Sequence, residues 1–229
     1  MHSRTAVLFV AMLLAGVPAS AQDYKPVEVT IGGGVTFPNS EVRDHLGDGY
    51  NLNFGVTVNV SPIIGIEGLY SFNGLGQKRI SIPVSPTPNA TTVPTDFFGD
   101  MNMQYGTVNL VARKPTGSVR PYFVTGVGVY YRPIKVTTPG VGFVPGYCDP
   151  WWYVCFPGGF VPVENIVGER SSTDFGMDFG GGVTFAQSFF AEVRYHYIWG
   201  PTIDTTGLGG SESRKANGQF LPITFGFRF

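Results

Sequence analysis

Bulky apolar residues stand at every second position in successive runs of about ten residues, and this period of two constrains the chain more than any other feature. The last run is the clearest. Leu221, Ile223, Phe225, Phe227 and Phe229 alternate with Pro222, Thr224, Gly226 and Arg228. Phe189, Ala191, Val193, Tyr195, Tyr197 and Trp199 alternate with Phe190, Glu192, Arg194, His196 and Ile198. Phe175, Met177, Phe179, Gly181, Val183 and Phe185 alternate with Asp174, Gly176, Asp178, Gly180, Gly182 and Thr184. Nearer the start, Val27, Val29, Ile31, Val35 and Phe37 alternate with Glu28, Thr30, Gly32, Gly34 and Thr36. Runs at 51–60 and 64–72 behave alike, and two more, at 102–113 and 119–131, are apolar with an ambiguous phase. A strand puts alternate residues on opposite faces, so each run reads as a strand with one bulky and one small or polar face.

Eight such strands are joined by connections of two kinds. Those at 61–63, 114–118 and 186–188 are short, and those at 38–49, 73–100, 132–172 and 200–218 are long. Short turns at one end and long loops at the other predict an all-β fold, an eight-stranded antiparallel up-and-down transmembrane β-barrel. An eight-stranded barrel encloses little more than its own side chains. The bulky faces of all its strands exceed that space, so they are expected outside, against lipid, with the small polar faces inside. Trp199, Tyr197, Tyr50, Tyr70 and Phe72 fall near the long-loop ends, where an interfacial aromatic girdle belongs.

Composition supports export and excludes other classes. Met1 to Ala21 has Arg4, an apolar stretch from Ala6 to Leu14 and the small-residue site Ala19-Ser20-Ala21. It reads as a secretory signal peptide, leaving 22–229 as the barrel domain. No later apolar run reaches the roughly 18 residues of a spanning helix. Fifteen basic against sixteen acidic residues argue against a nucleic-acid partner.

The inward faces carry Glu28, Glu67, Asp178, Glu192, Arg194, His196 and Arg228. Charges in a narrow barrel are costly unless paired, so these predict a lumenal charge network. A turn pairing 185 with 189 sets Asp178 opposite His196, and one pairing 184 with 188 sets it opposite Arg194. Cys148 and Cys155, the only cysteines, flank the tip of the 132–172 segment, and an oxidising compartment favours a disulfide between them. The bridge would fix the aromatics Trp151, Trp152, Tyr153, Phe156 and Phe160, which either form a binding surface or fold over the barrel mouth. Gly32 to Phe37 recurs verbatim as Gly180 to Phe185, but no helix follows either copy, so the repeat reads as relief of crowding rather than a phosphate loop. His196 has no nucleophile at strand spacing (Ile198 stands there), and no metal, cofactor or catalytic set is indicated.

The terminal Phe229, Glu67 in Gly65-Ile66-Glu67, and Glu192-Val193-Arg194-Tyr195 lie in an architecture that resembles the outer-membrane β-barrel domain family, of OmpA-transmembrane, OmpX and OmpW type, over about 27–229. The resemblance implies that Phe225, Phe227 and Phe229 form an assembly signal and that Glu67, Glu192 and Arg194 plug the lumen. It implies a non-enzymatic outer-membrane protein with a structural or surface-interaction role, or alternatively a narrow conduit for small hydrophobic molecules lined by Leu69, Phe190 and Ile198. The expected partners are outer-membrane lipid and lipopolysaccharide, the barrel assembly machinery and an extracellular ligand, with the protein itself a monomer.

Overall fold

The computed structural model describes residues 25–84, 93–144, 147–149, 154–156, 159–186, 188–207 and 210–229. Residues 1–21, read above as a signal peptide, lie outside them. Twelve strands are present among the described residues: β1 (Val27–Pro38), β2 (Leu46–Asn59), β3 (Ile64–Val84), β4 (Val93–Arg113), β5 (Val119–Val144), β6 (Tyr147–Asp149), β7 (Val154–Phe156), β8 (Gly159–Phe185), β9 (Phe189–Trp199), β10 (Thr202–Gly207), β11 (Gly210–Lys215) and β12 (Gly218–Arg228). Eight of them close an antiparallel barrel in the order β1-β12-β9-β8-β5-β4-β3-β2. The other four form two small hairpins, β6–β7 and β10–β11.

Closure is made by β1 against β12, from Thr30↔Arg228 to Pro38↔Phe220. Val29 and Phe229 seal the end, with Phe229 N donating to Val29 O at 2.9 Å and Val29 N to Phe229 O at 3.1 Å. The short turns are tight. Ala186 takes a positive φ of 44° after β8, and Gly117 takes 118° between β4 and β5, where a side chain would be strained.

The outward faces are apolar and exposed. Ile31, Val35, Leu52, Phe54, Leu110, Val127, Phe179, Phe225 and Phe227 are among them. From Phe185 to Phe175 on β8 is ten residues, and at about 3.3 Å per residue and a tilt near 40° that rise is about 25 Å, the height of a bilayer's apolar band. Aromatic rings cluster at both limits. Phe175 stacks on Trp199 at 5.7 Å and Tyr197 meets Trp199 edge-on at 5.6 Å. At the short-turn end Phe189, Phe227 and Phe229 form a chain of rings.

Three expectations are corrected. Residues 73–100 and 132–172 are not mostly loop: β3 and β4 remain paired to Val84↔Val93, and β5 and β8 to Val144↔Gly159, well beyond the girdle. Alternation fades there because neither face meets lipid, but backbone pairing continues. The 38–49 and 200–218 connections also contain structure, the four-residue helix α1 (Val42–His45) with the start of β2 in the first and the β10–β11 hairpin in the second.

The third correction concerns the interior. It is not confined to small polar residues. Met101, Met103, Tyr105 and Val111 of β4, Tyr122, Val124 and Tyr130 of β5, and Phe190, Ile198 and Phe220 are all buried inside. Glycine on neighbouring strands makes the room. A Cβ at Gly176 would lie 2.6 Å from the Tyr130 ring, one at Gly182 2.5 Å from Tyr122, and one at Gly226 2.7 Å from Phe190.

Phe229 is exposed at the lipid-facing rim of the closing strand. Removing it takes away its two backbone bonds to Val29 but leaves the β1–β12 ladder from Thr30↔Arg228 onward and the β9–β12 ladder in place, so the finished barrel should keep most of its stability. Deleting Phe229 is expected to lower outer-membrane yield and raise the periplasmic fraction, read by membrane fractionation; unchanged yield would show that the terminal ring has no part in assembly.

Candidate functional site

The interior is built in layers from the inward positions of all eight barrel strands. At the short-turn end Glu28 of β1 holds Arg113 of β4 at 2.6 Å. Arg228 of β12 lies 3.8 Å from the same Glu28 oxygen and sits over the rings of Tyr122 and Phe190, at 4.7 and 5.6 Å. The next layer centres on Arg194 of β9. Its Nη2 donates to Glu67 Oε2 of β3 at 2.6 Å and to Glu192 Oε2 at 3.1 Å, and its Nε donates to Glu192 Oε1. Asn109 Nδ2 completes Glu67 Oε2 at 3.0 Å. These groups are almost wholly buried, so the pairing offsets a desolvation cost of several kcal/mol per ion.

Beside them an uncharged layer crosses the barrel. Thr36 donates to Asn73 at 2.6 Å, Asn53 to Thr224 at 2.8 Å and Thr224 to Asn51 at 3.0 Å. Farther out, His196 is clamped between two tyrosines, with Nδ1 2.8 Å from Tyr130 Oη and Nε2 3.3 Å from Tyr105 Oη. An apolar cap follows, made by Leu46, Leu75, Met101, Met103, Ile198 and Phe220.

Asp178 lies directly opposite His196, because β8 and β9 pair Phe185↔Phe189. The register alone does not make an ion pair. The imidazole is taken by the tyrosines and Arg194 binds the two glutamates through Nε and Nη2, while neither Asp178 carboxylate oxygen nor Arg194 Nη1 makes a hydrogen bond among the described residues. The lumenal carboxylates therefore differ: Glu28, Glu67 and Glu192 are paired and Asp178 is not.

Two largely buried charged pairs escaped the sequence reading. Arg113 ends β4, a strand whose phase was ambiguous. Arg132 lies where a loop was expected; its Nη2 is 2.5 Å from Asp174 Oδ2, across the base of the extended β5–β8 ribbon. Knowing that the ribbon continues would have exposed the second pair, since Arg132 and Asp174 keep the inward phase of their strands.

The β6–β7 register pairs Cys148 with Cys155, and no described cysteine is free. Trp151, Trp152 and Tyr153 lie outside the described residues, and so does the Phe156 side chain. Phe160 is exposed on the ribbon, edge-on to Phe143 at 5.6 Å. Phe225, Phe227 and Phe229 all point outward at the short-turn rim.

A closed eight-stranded barrel with an apolar exterior and an interior filled by paired charges, polar groups and rings defines an integral membrane barrel of the bacterial outer membrane. The family model described as outer membrane protein beta-barrel domain matches residues 7–229, and the chain belongs to that family. No curated protein matches it. Among solved structures it is similar to a major outer membrane protein from Thermus thermophilus, with 9% identity, TM-score 0.47, and 90% of this chain and 100% of that one covered. It is similar to Ail, the attachment invasion locus protein of Yersinia pestis, in complex with the heparin analogue sucrose octasulfate, with 12% identity, TM-score 0.44 and coverage of 90% and 100%. OprG from Pseudomonas aeruginosa gives 12% identity, TM-score 0.44 and coverage of 90% and 97%.

The two kinds of buried charge make opposite predictions for stability, measured by urea unfolding in lipid bilayers. Arg194→Met leaves Glu67 and Glu192 buried without their cation and should cost on the order of 3–5 kcal/mol. Asp178→Asn removes a buried charge that has no ion pair and should leave stability unchanged or raise it. A large loss from Asp178→Asn would mean that its carboxylate is partnered after all.

Proposed function

We propose that this is a non-enzymatic surface-interaction protein whose contact element is the β5–β8 ribbon. One observation carries the reading. Thirteen residue pairs, from Arg132↔Ser172 to Val144↔Gly159, extend past the barrel, about 40 Å at some 3.3 Å per residue. Over most of that length β8 has a neighbour on one side only among the described residues, because its pairing with β9 stops at Phe175↔Trp199. The free edge offers unpaired backbone groups, the arrangement that adds an extended segment from a partner. The ribbon also exposes Val141, Phe143, Phe160, Ile166 and Val167. Beyond Thr137, the last β5 residue paired with β4, the ribbon is two-stranded and marginal alone, and a partner protein pairing with its edge would cover that surface. The layered side chains that fill the lumen favour this reading over conduction.

The test combines two measurements. Residues 138–165 are replaced by a short turn, which leaves every barrel pair in place, and cells displaying equal amounts of the full and shortened chains are compared for attachment to a panel of immobilised extracellular proteins. The full chain is expected to attach to a subset, and the shortened one to lose that attachment. Reconstituted in planar bilayers, the full chain is expected to show no steady conductance. Equal attachment by both chains would overturn the ribbon's role, and a steady open conductance would return the conduit reading. Because the register places Cys148 opposite Cys155 at the ribbon's tip, the mature protein without reductant should weigh two hydrogens less than the dithiol; two alkylatable thiols would remove the bridge.

A further inference from the structure

Above the apolar cap, the mouth of the barrel holds a cavity of about 340 Å³. Val42 of α1, Leu46 of β2, Ile80 of β3, Phe97 and Met101 of β4, and Ile134 of β5 line it. All of these except Met101 belong to stretches that looked like connecting loop. Leu46 and Met101 are its floor and are part of the buried cluster beneath it. Below that cluster, the Tyr105–His196–Tyr130 layer crosses the barrel. The cavity is therefore a blind pocket and not the entrance to a conduit.

The pocket's polar groups are few. Asn217 accepts from Gly200 N and donates to Tyr197 Oη, and Arg132 is buried with its charge already balanced by Asp174. Its Nε and Nη2 donate to Asp174 Oδ2, and its Nη1 and Nη2 donate to Ala216 O. A guanidinium has five N–H groups, so among the described residues one Nη1–H is left for an incoming oxygen. Glu41 stands at the rim with the exposed His45, whose ring Nδ1 lies 3.0 Å from the Glu41 carbonyl oxygen. With Arg132 neutralised, the Glu41 carboxylate disfavours an anionic head group. The walls suit an aliphatic chain, and the remaining Arg132 N–H can donate to one uncharged oxygen.

We infer that the mouth pocket binds an uncharged single-chain amphiphile, its alkyl chain against Leu46, Ile80, Phe97 and Ile134 and its oxygen on Arg132. The volume, at about 30 Å³ for a water-sized group, holds on the order of ten heavy atoms, the size of a medium-chain alcohol or aldehyde. The source is free amphiphile from outside the cell. The pocket lies beyond the Trp199–Phe175 ring pair that marks the edge of the apolar band, so an acyl chain anchored in the bilayer would have to leave it. The site does not depend on the ribbon: shortening 138–165 removes none of its residues.

Two methionines in different surroundings make the test selective. Met101 lines the pocket and Met177 faces lipid. The full chain, carrying methyl-labelled methionine in lipid nanodiscs, is titrated with octanol and followed by NMR. The Met101 methyl should shift and saturate, while Met177 should drift in proportion to octanol dissolved in the lipid. Val136→Trp, which fills the pocket from β5, should weaken the Met101 response by about tenfold or more, and the lipid-facing Val129→Trp should not. Gly99→Leu fills the same space from β4 and replaces Val136→Trp if the methyl spectrum shows that variant misfolded. A Met101 signal that stays still, that drifts in parallel with Met177, or that saturates equally well in the filled variants overturns the proposal.

Discussion

Everything in this molecule follows from the requirement that a backbone crossing hydrocarbon must satisfy its hydrogen bonds internally. Closure of β1 on β12 meets it by removing both sheet edges, and the Val29–Phe229 bonds carry the closure to the last residue. The consequence is visible by contrast. Within the apolar band every barrel strand has two neighbours, and the unpaired edge of β8 occurs only beyond the Phe175–Trp199 girdle, where water or a partner can satisfy it. The same physics that forbids an edge in lipid permits one outside, and the proposed contact element lies there.

Closure with eight strands also fixes how little space is inside, and the filling responds to that limit in two ways. Several bulky rings enter where a neighbouring strand supplies glycine, as Gly176 does for Tyr130 and Gly182 for Tyr122. Charges enter as compact sets, with one guanidinium serving two carboxylates around Arg194 and one carboxylate serving Arg113 and Arg228 around Glu28. Asp178 stands outside both sets. Its neighbours in register were free to vary with side-chain orientation, and the imidazole opposite it turned to the tyrosines.

The barrel, its strand number and its inside–outside sense were legible because lipid demands apolar groups on one face only. That demand writes a period of two into Phe175–Phe185, Phe189–Trp199 and Leu221–Phe229. Where the demand is weaker the signal fades. β4 and β5 carry Tyr105, Tyr122 and Tyr130 inward and Val108, Val127 and Val129 outward, so both faces are apolar and the phase disappears from the sequence. With it went Arg113, the partner of Glu28.

Above the membrane the sequence lost even the strands. The β3–β4 and β5–β8 extensions face neither lipid nor a complete core, so no periodic pattern marks them, and they are held by pairing across the ladder with side-chain contacts such as Arg79–Asp96 and Lys135–Glu169. The sequence by itself determined the barrel, because alternation is a local property imposed residue by residue by the solvent on each face. Tertiary structure alone decided which carboxylate goes unpaired, how far the ribbon reaches and that α1, β3, β4 and β5 enclose a cavity. Those depend on register and on contacts between residues far apart in the chain, which no local pattern encodes.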